Sequence, residues 1–450
     1  MAAPTLETDG TILRITSGTS GDPVTLNDVW DWDDGGGSSG GDGDIPIDGG
    51  GTEKVSAYLT EHVADGVYQV HKGIQIGNGS DASYFCSVNE AWYFDDGISF
   101  PDVRNFATLQ SGRMEGDYGV DGSYWNFGLS VDTTIMSGQT TATLKLYNTH
   151  LRSRTTQVLT LASGTVDFNK VVYSAFGRAI KFASSLQSLS INGYYTVRAN
   201  YGISIDKEPT VCEDVHGHWC HYGAFSTTSV TLTNPRFTEI FLNSIVVLNA
   251  ATLTQVDAKE AVNTPFLLSA GSVAVDSYSV NIHVNDADGA NLALVTVVAD
   301  SFGNIVSADA GSTFYRCIVD HTSGVFADDL AAGKWELTTA ANAALAGVAG
   351  GAGTGAWVTG IAYVKLAHEF SVATDANGDI AEQTLTRKQW VGTSEALLSY
   401  APYKFGFVKA GYQSLTLENI EIDAATVWTQ ELQDISSGAS TGPIDQQWIR

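Results

Sequence analysis

Three short stretches decide how this chain is read: Leu146-Tyr147-Asn148, Asp167-Phe168-Asn169 and Ser190-Ile191-Asn192. Each ends a β-like burst, and their asparagines lie 21 and 23 residues apart. A period near 20 residues is the length of one coil of a parallel β-helix. Asparagine suits the corner, because its amide bonds the backbone and it tolerates left-handed geometry. Stacked coils would then set Asn over Asn. Leu232-Thr233-Asn234 and Val247-Leu248-Asn249 continue the pattern, but at spacings of 42 and 15, so the phase is lost or a coil carries an insertion. The alternative on the same residues is a β-sandwich with asparagines in unrelated turns. The expectation is an all-β chain: a short right-handed parallel β-helix followed by an immunoglobulin-like β-sandwich with a long insertion.

Composition agrees with strands rather than helices. Gly is abundant at 47 residues and Pro sparse at 9, and 43% of the 450 residues are hydrophobic. Short strands joined by Gly/Asn/Asp turns fit that mixture. The charge is lopsided, 50 acidic against 23 basic residues, net −27. Nucleic-acid binding needs a basic footprint, so that class is excluded as an expectation. The same charge disfavours anionic membrane surfaces, and no apolar run is long enough to span a bilayer. Met1 to Asp9 has neither a basic nor an apolar signal region, so no secretory signal is expected. Four cysteines are too few for a disulfide scaffold.

Outward from the coils, residues 1–54 include the run from Asp33 to Asp44, rich in Gly, Ser and Asp. Such runs bury too little apolar surface to offset the entropy of ordering. The expectation is a flexible N-terminal docking arm with apolar spots at Ile12, Leu13, Ile15, Val29, Trp30 and Trp32. Residues 55–276 form the β-helix-like domain. Residues 277–433 alternate differently: Val280, Ile282 and Val284 precede the turn Asp286-Ala287-Asp288-Gly289, and Leu294–Val298 leads into Asp300-Ser301-Phe302-Gly303-Asn304. Strands with such turns suggest the sandwich. Residues 307–366 are too long for a loop and read as an inserted subdomain or extended arm. Residues 434–450 are a polar tail.

Two resemblances rest on these residues. Val280 to Asn304, rejoined at Phe370 to Tyr412, resembles the carboxypeptidase-regulatory-like, immunoglobulin-type β-domains in its D-x-D-G, D-x-x-G-N and T-D-A-N-G turns and closing K-A-G-Y. The long insertion departs from that pattern. The resemblance implies a non-catalytic spacer or adhesion module. Ile74-Gln75-Ile76-Gly77-Asn78-Gly79-Ser80, with Tyr84-Phe85 and Asn89-Glu90, resembles the first coils of tailed-bacteriophage structural proteins. Cys317 to Gly324, with Gly333-Lys334-Trp335, is similar to segments of phage tail fibres. Together they imply a non-enzymatic virion protein at the particle surface: a fibre, spike or decoration. Its partners would be other virion proteins and copies of itself, with no cofactor. The alternatives are a receptor-binding protein recognising host glycan, and a glycan depolymerase.

Candidate chemistry is densest at Cys212-Glu213-Asp214-Val215-His216-Gly217-His218-Trp219-Cys220-His221. Cys212, His216, His218, Cys220 and His221 offer thiols and imidazoles for zinc, but Cys212 and Cys220 are eight apart, wider than common structural sites. A Cys212–Cys220 disulfide is the rival, and an exposed loop the plainer reading. Because the coil spacing breaks here, a protruding loop is expected, with Trp219 and Tyr222 placed to meet a partner or glycan. Gly37-Ser38-Ser39-Gly40-Gly41 matches G-x-S-x-G but has no strand before it, so it is not a nucleophile elbow. Asp375-Ala376-Asn377-Gly378-Asp379 lacks the EF-hand glycine and glutamate, since those positions are Ile380 and Thr386. It reads as a β-turn, with an incidental surface calcium site as the alternative. Carboxylate pairs for glycan cleavage include Glu90 with Asp95 or Asp96, and Glu115 with Asp117. With 50 acidic residues such pairs arise by chance. Trp92, Tyr93, Tyr118, Tyr124 and Trp125 fit packing or a subunit interface better than sugar stacking. Cys86 and Cys317 have apolar flanks and are expected to be buried.

Overall fold

The computed structural model describes residues 3–16, 22, 24–35, 40–61, 67–76, 83–88, 91–94, 107–109, 112–117, 124–127, 133–135, 143–147, 150–153, 159–175 and 180–259. In the C-terminal half it describes 265–301, 305–307, 313–317, 321–322, 324–338, 362–363, 368–393, 396–400 and 403–435. The fold is nearly all β, with a β-solenoid of about 5 turns between residues 160 and 277. The chain divides into two compact units, 1–255 with 259–274, and 256–258 with 275–450.

The solenoid is built from three parallel ladders. In the first, residues 165–169 pair with 188–192, which continue onto 211–213. In the second, 172–174 pair with 195–197, then 216–218, then Arg236–Thr238. The third runs through Leu159–Leu161, Ile180–Phe182, Tyr201–Ile205, Tyr222–Ser226, Ile245–Val247 and Phe266–Leu267. Alternation along each strand sends one set of side chains inward. Phe168, Ile191 and Cys212 share one interior column, and Phe182 and Ile205 lie in another. All five are buried. Phe168, Phe182 and Tyr194 meet in the interior, with ring centroids 5.4 to 6.2 Å apart.

The corners explain the asparagine period and correct its details. Asn169 does lie over Asn192. However, Tyr147, not Asn148, is the register partner of Asn169, and Asn148 itself lies outside the described residues. The left-handed residue is the next one along. Lys170, Gly193, Asp214, Asn234 and Asp257 all have φ between 51° and 79°. Their separations are 23, 21, 20 and 23 residues, so the phase is never lost. A second corner repeats the device at Arg198, Trp219 and Glu239, and Asn249 serves a third. The apparent break has two sources: Asp214 takes the corner between Asn192 and Asn234, and Asn249 serves a different corner.

One interior wall depends on missing side chains. A Cβ on Gly223 would lie 2.3 Å from the Ser244 carbonyl oxygen and 2.7 Å from the Phe237 ring. One on Gly202 would lie 2.5 Å from the Gly223 carbonyl oxygen. The two carbonyl oxygens are backbone obstacles and cannot rotate away. Gly223→Ala is therefore expected to cost about 3 kcal/mol, the upper end of ordinary overpacking. A urea-unfolding midpoint equal to that of the wild type would refute the close approach.

In its described residues, the stretch expected as a flexible arm is folded, and it belongs to the same compact unit as residues 159–255 of the solenoid. Thr5–Thr8 and Ile12–Thr16 form an antiparallel hairpin, and Ile12–Thr16 continues in parallel onto Gly73–Ile76. Leu6, Leu13, Ile15, Val24, Leu26 and Val29 are buried. Helix Leu26–Trp30 begins at a capping box formed by Thr25 and Asp28. The glycines have packing roles here. Gly41 (φ +85°) would place a Cβ 2.3 Å from the Trp30 ring, and Gly43 one 2.6 Å from the Trp32 carbonyl oxygen. A polar network of Thr8, Tyr58, Glu53 and Lys72 fastens the hairpin, with Lys72 Nζ 2.5 Å from Glu53 Oε1 and 4.5 Å from the Tyr58 ring centroid.

The second unit is a β-sandwich. Thr296–Ser301 lies between His368–Ala373 and Tyr403–Val408, antiparallel to both, and Leu415–Ile420 adds to Tyr403–Val408. Across the core, residues 280–286 pair in parallel with Thr426–Leu432. Val280, Ile282 and Val284 face Val297, Ala299, Phe405 and Phe407 in one cluster. The immunoglobulin-like expectation is met at this coarser level of a two-sheet sandwich. The insertion is a small subdomain in its described part. Ile305–Ser307, Phe314–Cys317 and Trp335–Thr338 form an antiparallel sheet, with helix Phe326–Ala331 packed over Val306, Cys317 and Trp335.

Candidate functional site

The Cys/His segment is not a protruding loop. Val211–His218 is a regular solenoid strand, because Asp214 supplies the left-handed corner that Asn supplies elsewhere. The corner and the alternation send Cys212 inward and leave His216 and His218 on the outer face. Cys212 points into the coil, and Cys220 is buried at the next corner; both are free thiols, so they form no disulfide. Burial pushes the Cys212 thiol up, and it pushes the Cys220 thiol up to about 11. His216 packs against the Tyr195 ring at 6.0 Å, and burial lowers its pKa, with Lys259 and Arg236 adding to the effect and Asp214 opposing it. His218 Nδ1 lies 2.6 Å from Thr238 Oγ1, and His221 Nδ1 lies 2.9 Å from Asn200 Oδ1. Among the described residues no group of three His, Cys, Asp or Glu side chains converges to hold a metal ion.

Trp219 is 42% exposed, but its ring already carries two partners: His218 stacks at 4.7 Å and the Arg198 guanidinium lies 4.9 Å away. That leaves it a poor sugar platform. Asp375 behaves as the turn residue expected, with Oδ1 accepting the backbone N–H of Asn377 (2.8 Å) and Asp379 (3.0 Å). Those two bonds hold its carboxyl below the usual range. Asp379 Oδ1 lies 2.8 Å from His283 Nδ1.

Of the carboxylate pairs, Glu115 and Asp117 sit on strand Gly112–Asp117, in register with Lys145 and Tyr147. Glu90, Asp95, Asp96 and Tyr118 lie outside the described residues, as do Gly37 to Ser39 of the G-x-S-x-G match. Trp92 and Trp125 are register partners on neighbouring strands, and Tyr93 and Tyr124 pair with Asn126 and Ala91. Cys86 is on strand Ser83–Val88.

Cys317 is buried as expected, and it has neighbours the sequence did not reveal. Its Sγ lies 3.8 Å from His321 Nδ1, while His321 Nε2 lies 3.7 Å from Asp329 Oδ2. Asp329 Oδ1 pairs with Lys334 Nζ at 2.7 Å. The two ring nitrogens face different partners, so Cys317 and Asp329 cannot share one ion through His321. With Cys317 1% exposed, no substrate reaches the thiol. The relay fastens the small subdomain.

The feature sequence reading missed is on the outer wall of the solenoid. Strands Val211–His218, Val230–Thr233 and Thr252–Val256 enclose a groove of about 310 Å³. Leu232 and Leu253 are buried inside, and the alternating Thr231, Thr233, Thr252 and Thr254 line the groove outside. Glu208 and Glu213 add two carboxylates, Thr210 and Ser229 two more hydroxyls, and Pro209, Val211 and Val230 an apolar stretch. The signal was present as Thr231-Leu232-Thr233 and Thr252-Leu253-Thr254, two hydroxyls flanking one apolar residue about one coil apart. No family model matches the chain, and no curated protein or solved structure matches it.

Proposed function

We propose that this chain is a non-enzymatic structural component of a phage particle: a surface-projecting fibre, spike or decoration protein that presents β-domains to neighbouring subunits or the host. The observation that carries the reading is the unbroken solenoid, in which parallel ladders continue in register and a corner state recurs at Lys170, Gly193, Asp214, Asn234 and Asp257. Such a stack has its polar backbone groups paired along the axis and its apolar side chains inside, which suits a stiff spacer. The high negative charge keeps projections soluble and mutually repelling. The phage-like segments at Ile74–Ser80 and Cys317–Gly324 support the virion setting. The folded N-terminal segment, with its hairpin and capped helix, replaces a loose arm as the candidate attachment element. Gold-labelled antibody against residues 277–433, applied to purified particles, tests this reading. Label at tail or head is expected. Particles free of label, with the protein absent from their mass-spectrometric inventory, would refute it.

A further inference from the structure

The groove on the outer wall has a composition that selects its ligand. No group among the described residues hydrogen-bonds the hydroxyls of Thr231, Thr233, Thr252 or Thr254, and neither Glu208 nor Glu213 forms an ion pair. Thr210, at the groove's edge, is committed, since its Oγ1 donates to the Leu189 carbonyl at 3.1 Å; outside the groove Thr227 Oγ1 donates to Asp206 at 2.7 Å. The four threonines are held on neighbouring strands about 4.8 Å apart, with about 6.7 Å between alternate residues of one strand. Threonine is β-branched and stiff at χ1, so the hydroxyl directions are set before any ligand arrives.

We propose that this groove is a carbohydrate-binding site for an extended glycan that is neutral or carries free amines. Each threonine hydroxyl both donates and accepts, which matches the hydroxyls of a sugar chain. The two carboxylates accept from further hydroxyls or from ammonium groups. No Lys or Arg lines the groove, and the chain carries −27, so anionic glycans and nucleic acid are repelled. An extended peptide is disfavoured as well. The wall at Val211–His218 and Val230–Thr233 is sheet interior, with a ladder neighbour on each side, and offers no free edge for strand addition. A volume near 310 Å³ is at the lower end for small-ligand sites and fits part of a polymer lying across the coils.

The test is titration calorimetry of the full chain with three soluble oligosaccharides: a neutral dextran oligomer, a chitosan oligomer and an oligogalacturonate. Binding of the dextran or the chitosan oligomer, and none of the galacturonate, is expected. Thr231→Val with Thr233→Val keeps shape and strand preference, and it should weaken that binding about tenfold through two lost hydrogen bonds. Its circular dichroism and unfolding midpoint should match the wild type. Glu213→Gln should weaken the chitosan oligomer selectively. The site is refuted if neither the neutral nor the amine-bearing oligomer binds. It is equally refuted if the double valine variant binds as tightly as the wild type, or if galacturonate binds best.

Discussion

Phe168→Ala is expected to lower the unfolding free energy by about 3–5 kcal/mol, the range for removing a buried aromatic ring. Phe168 is 1% exposed, with the Phe182 ring 5.4 Å away at 75° and the Tyr194 ring at 6.1 Å. Its column neighbour in the next coil is Ile191, and Cys212 follows. Those neighbours are held by hydrogen bonds along the axis, so they cannot collapse into the space, and the cavity remains. Tyr195→Ala is the control. Tyr195 points outward, is 39% exposed, and should cost well under half as much. Urea unfolding of both variants decides the matter. A Phe168→Ala loss below about 1.5 kcal/mol, or a larger loss for Tyr195→Ala, would mean that the inward and outward sets are misassigned.

The second large effect is a pH dependence set by Asp276. The residue is 3% exposed, and Oδ1 has no hydrogen-bond partner among the described residues. Arg387 Nη1 is 3.9 Å from Oδ2, beyond hydrogen-bond reach, and Arg387 also lies 3.5 Å from Glu421. Burial pushes the Asp276 carboxyl up to about 6, against the opposing pull of Arg387 and Lys388. The folded protein thus holds this proton more tightly than the unfolded chain. Below the ordinary value of 3.8 the residue costs nothing; the cost builds as pH rises and is complete above about 6. Two units correspond to about 3 kcal/mol. The stability advantage of Asp276→Asn over the wild type should therefore grow by about 2–3 kcal/mol as pH rises from 4 to 7.

Other groups move in the same range. Asp9 and Glu53 are held below the usual carboxylate value: burial raises each, but hydrogen bonds from Thr11 and Ile12, and from Lys72 and Tyr58, outweigh it. Both lose stability as pH falls, and so does His216, whose buried ring prefers to be neutral. Subtracting the wild-type profile from that of Asp276→Asn removes these contributions. A difference that does not change with pH would overturn the assignment.

The coil period was legible because strands 165–169 and 188–192 end in the same residue type at the same step. Which residue bends the chain was not legible. Lys170 and Asp214 take left-handed geometry as readily as Asn234 because the ladders above and below impose it, and local propensity is a weak guide against that. The same substitution of Asp for Asn hid a regular strand inside the Cys/His segment. Glycine misled in the opposite direction. Gly41 and Gly43 read as linker residues, yet they exist because tryptophan rings and backbone lie against them, which is a tertiary fact. The groove was half legible: the two Thr-Leu-Thr triplets were in view, but only the register of the strands shows that their hydroxyls share one wall.

The recurring corner also makes the solenoid a ruler. Since each coil ends in the same backbone state whatever residue occupies it, a whole coil can be removed or duplicated between equivalent corners, such as Gly193 and Asp214, without a new kind of junction. Each such change alters the length by one strand spacing, about 4.8 Å, and leaves the walls in register. Length then becomes a quantity that varies in fixed steps, independent of the side chains on the outer walls.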